Sequence, residues 1–128
     1  MDKAHRAVVS ARLLLDDGDV DGACNRAYYA MFDAARAALV WSGTSTEAPA
    51  TKTHSGLISA FSLHLVKSGR LPIESGKALN RVAEVRLIAD YIGGQVTAEK
   101  ARWVIEQAES FIETIAREFP EKGRRNPT

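Results

Sequence analysis

The sequence has few of the residues that build covalent or metal-held scaffolds. Cys24 is the only cysteine in 128 residues, so the chain can form no internal disulfide, and a cysteine-rich zinc site is excluded. No set of histidines and carboxylates has the spacing of metal ligands. We therefore predict neither a metal nor a cofactor.

Long apolar runs and an excess of one charge are also missing. No run approaches the roughly 18 residues of a membrane-spanning helix, and the N-terminal segment MDKAHRAVVSARLLLDDGD lacks the uninterrupted apolar stretch of a signal peptide. Seventeen basic residues stand against sixteen acidic ones, so any binding of nucleic acid has to come from a local patch. These absences predict a soluble cytoplasmic protein that does not act at a membrane.

Apolar residues recur at the helical period, and alternation at every second residue is scarce. We predict an all-α fold, an up-and-down bundle of four to five helices over residues 1–119, with a polar C-terminal tail over 120–128. The predicted helices cover about 3–16, 20–42, 53–68, 73–92 and 98–119. The predicted N-caps are Asp2, Asp19 or Asp21, Thr53 and Thr97.

The fourth predicted helix is apolar on two faces. Val82 and Val85 lie on one side, whereas Leu87 and Ile88 lie largely on the other. Two apolar faces in so small a domain need two surfaces to bury them. We interpret the second face as the contact of a homodimer; the alternative is a central helix surrounded within one chain.

The second predicted helix carries an apolar seam and a polar row. Tyr28 and Phe32 are four residues apart on the seam. The polar row recurs at steps of four, four and three: Asn25, Tyr29, Asp33 and Arg36. The row is either a solvated face with an ion pair between Asp33 and Arg36, or the support of a functional site.

Two further stretches contain candidates for chemistry. Arg86 and Asp90 are four residues apart and Tyr91 follows, which indicates either an exposed ion pair or a guanidinium available for phosphate. His54 begins the third helix near Lys52, where helix amides also attract anions; the histidine either caps and packs or transfers protons. No phosphate-binding loop or nucleophile motif is present. The residues alone therefore predict a helical domain with a weak anion site.

Four stretches in order resemble the HEPN domain, a nucleotide-binding domain of higher eukaryotes and prokaryotes: NRAYYAMFDAARAAL, KTHSGLISAF, EVRLIADY and AESFIETI. The resemblance covers residues 7–117 approximately. It implies a helical bundle that dimerises. Many HEPN proteins are encoded beside a minimal nucleotidyltransferase, as toxin–antitoxin pairs or two-component nucleotidyltransferases, and the toxin members are metal-independent ribonucleases.

The ribonuclease motif of the resembled family is an arginine followed, after four to six residues, by a histidine, in a cleft formed by both protomers. There the arginine stabilises phosphate charge and the histidine transfers protons. Here no histidine lies within seven residues after any arginine. After Arg86, Asp90 and Tyr91 occupy the positions where the motif would place its histidine. An aspartate does not simply replace a histidine, because its ordinary pKa near 4 leaves it without a proton to donate at neutral pH.

The resemblance thus implies a partner of a minimal nucleotidyltransferase that binds nucleotide or RNA at a dimer cleft. The residues implied for that cleft are Arg86, Asp90 and Tyr91, with Asn25 and Tyr29 in support. The alternative is a diverged ribonuclease toxin that uses Arg86 with His54 or Tyr91. Some toxin members carry a tyrosine that the nucleotidyltransferase modifies with AMP, and Tyr91 is placed similarly.

Overall fold

All the regular structure in the described part of the chain is helical. A computed structural model describes residues 1–91 and 96–120, apart from the side chains of residues 50 and 89–91. The helices are α1 (Asp2–Asp16), α2 (Val20–Trp41), α3 (His54–Phe61), α4 (Ile73–Tyr91) and α5 (Ala98–Glu118). A 3₁₀ turn (Pro49–Lys52) precedes α3, and a π-helical turn (Ser62–Val66, the π-turn) continues it. The predicted all-α bundle is confirmed, while residues 121–128 of the predicted tail lie outside the described residues.

The central helix of the bundle is α2, which packs against α1, α3, α4 and α5. Six of its alanines have no exposed surface: Ala23, Ala27, Ala30, Ala34, Ala35 and Ala38. Their small side chains allow the neighbouring helices to approach closely, while Met31 and Leu39 fill the space between them. The buried seam of α2 fixes which of its positions remain on the outside, and the polar row occupies those positions.

Three predicted N-caps are confirmed and one is wrong. Each of three side-chain oxygens accepts a bond of 2.9–3.0 Å from the backbone N–H three residues further on: Asp19, Thr53 and Thr97. Asp2, however, is the first residue of α1, and Met1 occupies the N-cap position. The helix starts one residue earlier than predicted because the His5 N–H donates to the Met1 carbonyl at 3.0 Å.

The predicted third helix is not a continuous α-helix. It changes to the π-turn after Phe61, where the Lys67 N–H donates to the Ser62 carbonyl five residues back, at 2.9 Å. Phe61 nevertheless stays fully buried. Helix α4 passes close to this turn, since a Cβ atom added to Gly76 would lie 3.2 Å from Cγ2 of Val66.

Both apolar faces predicted for α4 are present in the described residues. Val82 is fully buried, whereas the side chains of Leu87 and Ile88 are 55% and 51% exposed. Helix α4 is therefore not surrounded within one chain at these positions, and the homodimer stays a prediction. Among the described helices, none has the length and apolarity to cross a membrane.

Candidate functional site

Two side chains of α2 hold the guanidinium of Arg86 on α4. Arg86 Nε donates to Asn25 Oδ1 at 3.1 Å, and its Nη2 donates to the Tyr29 hydroxyl at 3.1 Å. The guanidinium carbon also lies 4.9 Å from the ring centre of Tyr28 and 5.2 Å from that of Tyr29, within the range of cation–π attraction. Because Asn25 and Tyr29 are one helical turn apart, they fix the plane of the guanidinium as well as its position.

The other half of the polar row does not form the ion pair that was one of the two alternatives for this row. Within the described part of the chain, no salt bridge joins Asp33 to Arg36. The Arg36 guanidinium carbon instead lies 5.3 Å from the ring centre of Phe32. The row therefore supports Arg86 at its first two positions, and Arg36 adds a second positive charge near the same aromatic group.

The imidazole of His54, the first residue of α3, contacts the aromatic face of α2. Its Nδ1 lies 2.9 Å from the Tyr28 hydroxyl oxygen. Its ring centre is 4.4 Å from that of Phe32 and 5.6 Å from that of Tyr29. Tyr28, which is 2% exposed, thus contacts both Arg86 and His54 and joins α4 to α3 through α2.

The electrostatic surroundings keep His54 neutral. Burial lowers the pKa of its imidazole, and the positive charges of Arg86 and Arg36 lower that pKa further. Burial raises the pKa of the Tyr28 phenol, and the charge of Arg86 opposes this effect in part. At neutral pH the contact therefore joins an uncharged imidazole to a protonated phenol, in which either group can be the donor.

A pocket of about 350 Å³ opens beside these residues, between α3 and α4. Tyr28, His54 and Arg86 lie in its wall together with Asn80 and Glu84 of α4. Its volume is in the range of small-ligand sites, about 300–1,000 Å³. No group of three potential metal ligands occurs among the residues described. A site of this size with a fixed cation suits a phosphate-bearing ligand.

Comparison with known proteins gives the family of this fold. The model of the HEPN domain matches residues 1–119. The chain belongs to the HEPN domain family. The predicted family is therefore confirmed, and the residues around Arg86 form a candidate site of a HEPN protein.

Three relatives are similar over most of their length. The UPF0332 protein glr0978 of Gloeobacter violaceus is 39% identical over 121 residues, covering 93% of this chain and 91% of that protein. A UPF0332 protein of Thermotoga maritima is 36% identical over 116 residues, covering 88% and 83%. A Methanocaldococcus jannaschii protein named "Putative toxin MJ0605" is 30% identical over 118 residues, covering 92% and 84%.

Four of the site residues predicted from the HEPN-like sequence come together: Asn25, Tyr29, His54 and Arg86. Lys52 is exposed at the end of the 3₁₀ turn, and no contact in the described residues joins it to Arg86. The side chains of Asp90 and Tyr91 lie outside the described residues.

Sequence reasoning missed three residues of this HEPN site. It placed Tyr28 in the core, where the ring does lie, but did not assign its hydroxyl. A buried tyrosine hydroxyl needs a hydrogen-bond partner, and that rule was the available signal. Asn80 and Glu84 are four residues apart and share one face of α4, but nothing in the sequence shows that this face borders a pocket.

Removing the charge of Arg86 is expected to raise the pKa of His54. Arg86→Gln should raise it more than Arg36→Gln, because Arg86 has the larger effect on this imidazole. A nuclear magnetic resonance titration of the imidazole measures the pKa, with His54→Gln used for assignment.

In the wild type the lowered pKa of His54 means that the unfolded chain binds the proton more tightly than the folded one. The contribution of His54 to stability is therefore lost as the pH falls from about 6.5 through the folded pKa.

The control for this titration is Arg12→Gln. Arg12 lies on α1 and pairs with Glu109 of α5 at the surface, and it is not among the groups that shift His54. A pKa of His54 that rises equally in Arg12→Gln and Arg86→Gln would show that net charge, and not the proximity of Arg86, controls the imidazole.

Proposed function

We propose that this HEPN protein is the toxin-like partner of a minimal nucleotidyltransferase and binds the phosphate of a nucleotide or RNA beside Arg86. The observation that carries the proposal is the guanidinium held by Asn25 and Tyr29 in the pocket wall. A guanidinium offers paired N–H donors that match phosphate oxygens. Because its side chain is already ordered, it loses little further conformational freedom when a ligand binds.

The charge around the pocket also supports an anionic ligand. Arg86 and Arg36 both act on His54, so their positive potential extends to the first residue of α3. A neutral imidazole in that potential can donate a hydrogen bond to a phosphate oxygen without carrying a charge of its own. Glu84 is the acidic residue of the wall, and a ligand with hydroxyl or N–H groups near its phosphate satisfies that carboxylate.

The exposed face of α4 supports a site that two copies complete. Leu87 lies in the pocket wall, and Ile88 follows it, with about half of each side chain exposed. A second copy packed on these two side chains removes apolar surface from water and narrows the opening of the pocket. This arrangement agrees with the cleft between protomers that the HEPN resemblance implies.

The contact between His54 and Tyr28 favours a second candidate function, a metal-independent ribonuclease. If His54 Nδ1–H donates to the Tyr28 oxygen, Nε2 has a free lone pair and can take the proton of a ribose 2′-hydroxyl. The 2′-oxygen then bonds to phosphorus while the bond to the 5′-oxygen breaks, the leaving 5′-oxygen takes up a proton from water, and Arg86 stabilises the charge on the phosphate. If the Tyr28 hydroxyl donates instead, Nε2 carries the proton, and His54 binds the phosphate without removing a proton from the ribose.

The pairing with a nucleotidyltransferase rests on the family and on the name of the Methanocaldococcus jannaschii relative, which describes a toxin. We expect the chain expressed alone to slow the growth of its host. We also expect a minimal nucleotidyltransferase to be encoded beside it; co-expression of that protein should restore growth, and the two proteins should purify together. Normal growth without the second protein, and no co-purification with it, would contradict the pairing.

A binding and cleavage assay separates the two candidate functions. The protein is mixed with a labelled single-stranded oligouridylate in the presence of a metal chelator. Fluorescence anisotropy measures binding, and gel electrophoresis measures the length of the oligouridylate and so detects cleavage. Binding without cleavage supports the first function. Cleavage that His54→Gln abolishes and His64→Gln preserves supports the second, since His64 is an exposed histidine of the neighbouring π-turn. Absence of binding and of cleavage contradicts both.

A further inference from the structure

The Tyr28 hydroxyl has a single hydrogen-bond partner within the described part of the chain, the Nδ1 atom of His54 at 2.9 Å. The tyrosine is 2% exposed, so its hydroxyl is almost entirely removed from water. A buried tyrosine O–H needs an acceptor, and a buried group that is left unpaired costs free energy. The direction of this one bond therefore decides whether the buried phenol is fully paired.

A neutral imidazole allows two arrangements of the bond, and they leave different groups unpaired. If Nδ1–H donates to the Tyr28 oxygen, the phenolic hydrogen has no second acceptor among the described residues. If the Tyr28 O–H donates to Nδ1, both groups are paired, and the imidazole carries its proton on Nε2. His54 is half-buried and lies in the pocket wall, where an Nε2–H can bond water or a ligand. The second arrangement thus leaves no buried donor without a partner.

The other aromatic residues around His54 do not compete for this bond. Phe32, whose ring centre is 4.4 Å from that of His54, has no polar atom in its side chain. The Tyr29 hydroxyl accepts its bond from Arg86 Nη2 at 3.1 Å, and it forms no bond to the imidazole. Tyr28 therefore controls on which nitrogen the imidazole keeps its proton.

We infer that Tyr28 is a positioning residue, whose hydroxyl donates to Nδ1 of His54 and holds the imidazole with its proton on Nε2, so that His54 donates a hydrogen bond to a phosphate oxygen. The Tyr28 ring also lies 4.9 Å from the guanidinium carbon of Arg86, so one buried side chain orders both donors of the pocket. This inference rests on the proposed function and adds to it which atom of His54 meets the ligand. It favours binding over cleavage, because a protonated Nε2 has no lone pair that can take the proton of a ribose hydroxyl.

The direction of the bond is measured in the free protein, without any ligand. The histidines are labelled with ¹⁵N, and long-range proton–nitrogen correlation spectra, recorded above the pKa of the imidazole, distinguish protonated from unprotonated ring nitrogens. We expect His54 to carry its proton on Nε2. Tyr28→Phe keeps the ring and removes the donor, so the two nitrogen signals of His54 should move toward each other as the tautomers exchange. His64, which is exposed, gives the reference spectrum of a histidine without a fixed tautomer.

The control for the spectra is Tyr29→Phe. This variant removes the hydroxyl that bonds Arg86 but leaves the bond between Tyr28 and His54, so the proton of His54 should stay on Nε2. The inference is wrong if Nδ1 carries the proton in the wild type, an outcome that needs no variant to fold. It is also wrong if Tyr28→Phe leaves both nitrogen signals where they are, or if Tyr29→Phe moves them as far.

Binding of uridine monophosphate, measured by calorimetry, gives the second readout. Tyr28→Phe should lose about twofold to tenfold in affinity, the effect of one neutral hydrogen bond. Full affinity in Tyr28→Phe would contradict the positioning role of the hydroxyl. The proposed function fails in a different way, because the wild type then does not bind the monophosphate, or Arg86→Ala binds it equally well, whichever nitrogen of His54 carries the proton.

Discussion

Replacing Arg86 with lysine is expected to weaken the binding of oligouridylate nearly as much as replacing it with alanine, by roughly tenfold to a hundredfold. The guanidinium uses separate nitrogens for Asn25 and Tyr29, and an ammonium group cannot occupy both positions while it faces a ligand. Asn25→Ala should give an intermediate loss, since Arg86 then keeps its charge and its bond to Tyr29. Fluorescence anisotropy at constant ionic strength measures the three affinities.

Arg26→Ala provides the control for Arg86. Arg26 is the exposed neighbour of Asn25 on α2, so its removal changes the net charge equally without touching the two bonds that hold the guanidinium. A loss in Arg26→Ala as large as that in Arg86→Ala would assign binding to overall charge. Full affinity in Arg86→Lys would show that a positive charge is sufficient and that the orientation of the guanidinium does not matter.

Phe61→Ala is expected to lower the free energy of unfolding by about 3–5 kcal/mol. Phe61 is fully buried at the end of α3, and its ring centre lies 5.3 Å from that of Phe111 on α5. Truncation leaves a cavity at the point where α3 changes into the π-turn, which the surrounding helices can fill only in part. Because the free energy of unfolding of a native domain is only about 5–15 kcal/mol, this loss is a large share of the total stability. Urea denaturation followed by far-ultraviolet circular dichroism measures it.

Leu63→Ala is the matched control for Phe61→Ala. Leu63 lies two residues further along the same segment, but 56% of it is exposed. Its truncation should change the free energy of unfolding by no more than about 0.5 kcal/mol. Equal losses in the two variants would mean that Phe61 is not the buried residue that the structure describes.

The sequence allowed the helices and their inward faces to be predicted because both depend on local spacing. The step of 100° per residue separates Tyr28 from Tyr29, and the first is buried while the second reaches the edge of the site. The capping oxygens of Thr53 and Thr97 were also identifiable, since a side chain bonds a backbone group three residues away.

The assembly of the site could not be predicted, because it depends on which helix packs against which. Asn25 and Arg86 are 61 residues apart, and periodicity gives their faces without showing that those faces meet. His54 reaches Tyr28 only through the path of the chain between α2 and α3. The sequence did not predict the π-turn, because the stretch Ser62–Val66 contains no glycine or proline that would indicate a change in the helix.

The fully buried alanines of α2 have a consequence for how this protein can evolve. Ala27 and Ala30 have no exposed surface, and a larger side chain in such a tightly packed core typically costs about 1–3 kcal/mol. Substitutions that persist in α2 should therefore collect at its outward positions, and these include Asn25 and Tyr29. Descendants of this sequence can then alter how Arg86 is held, and hence what they bind, while the helix packing stays constant.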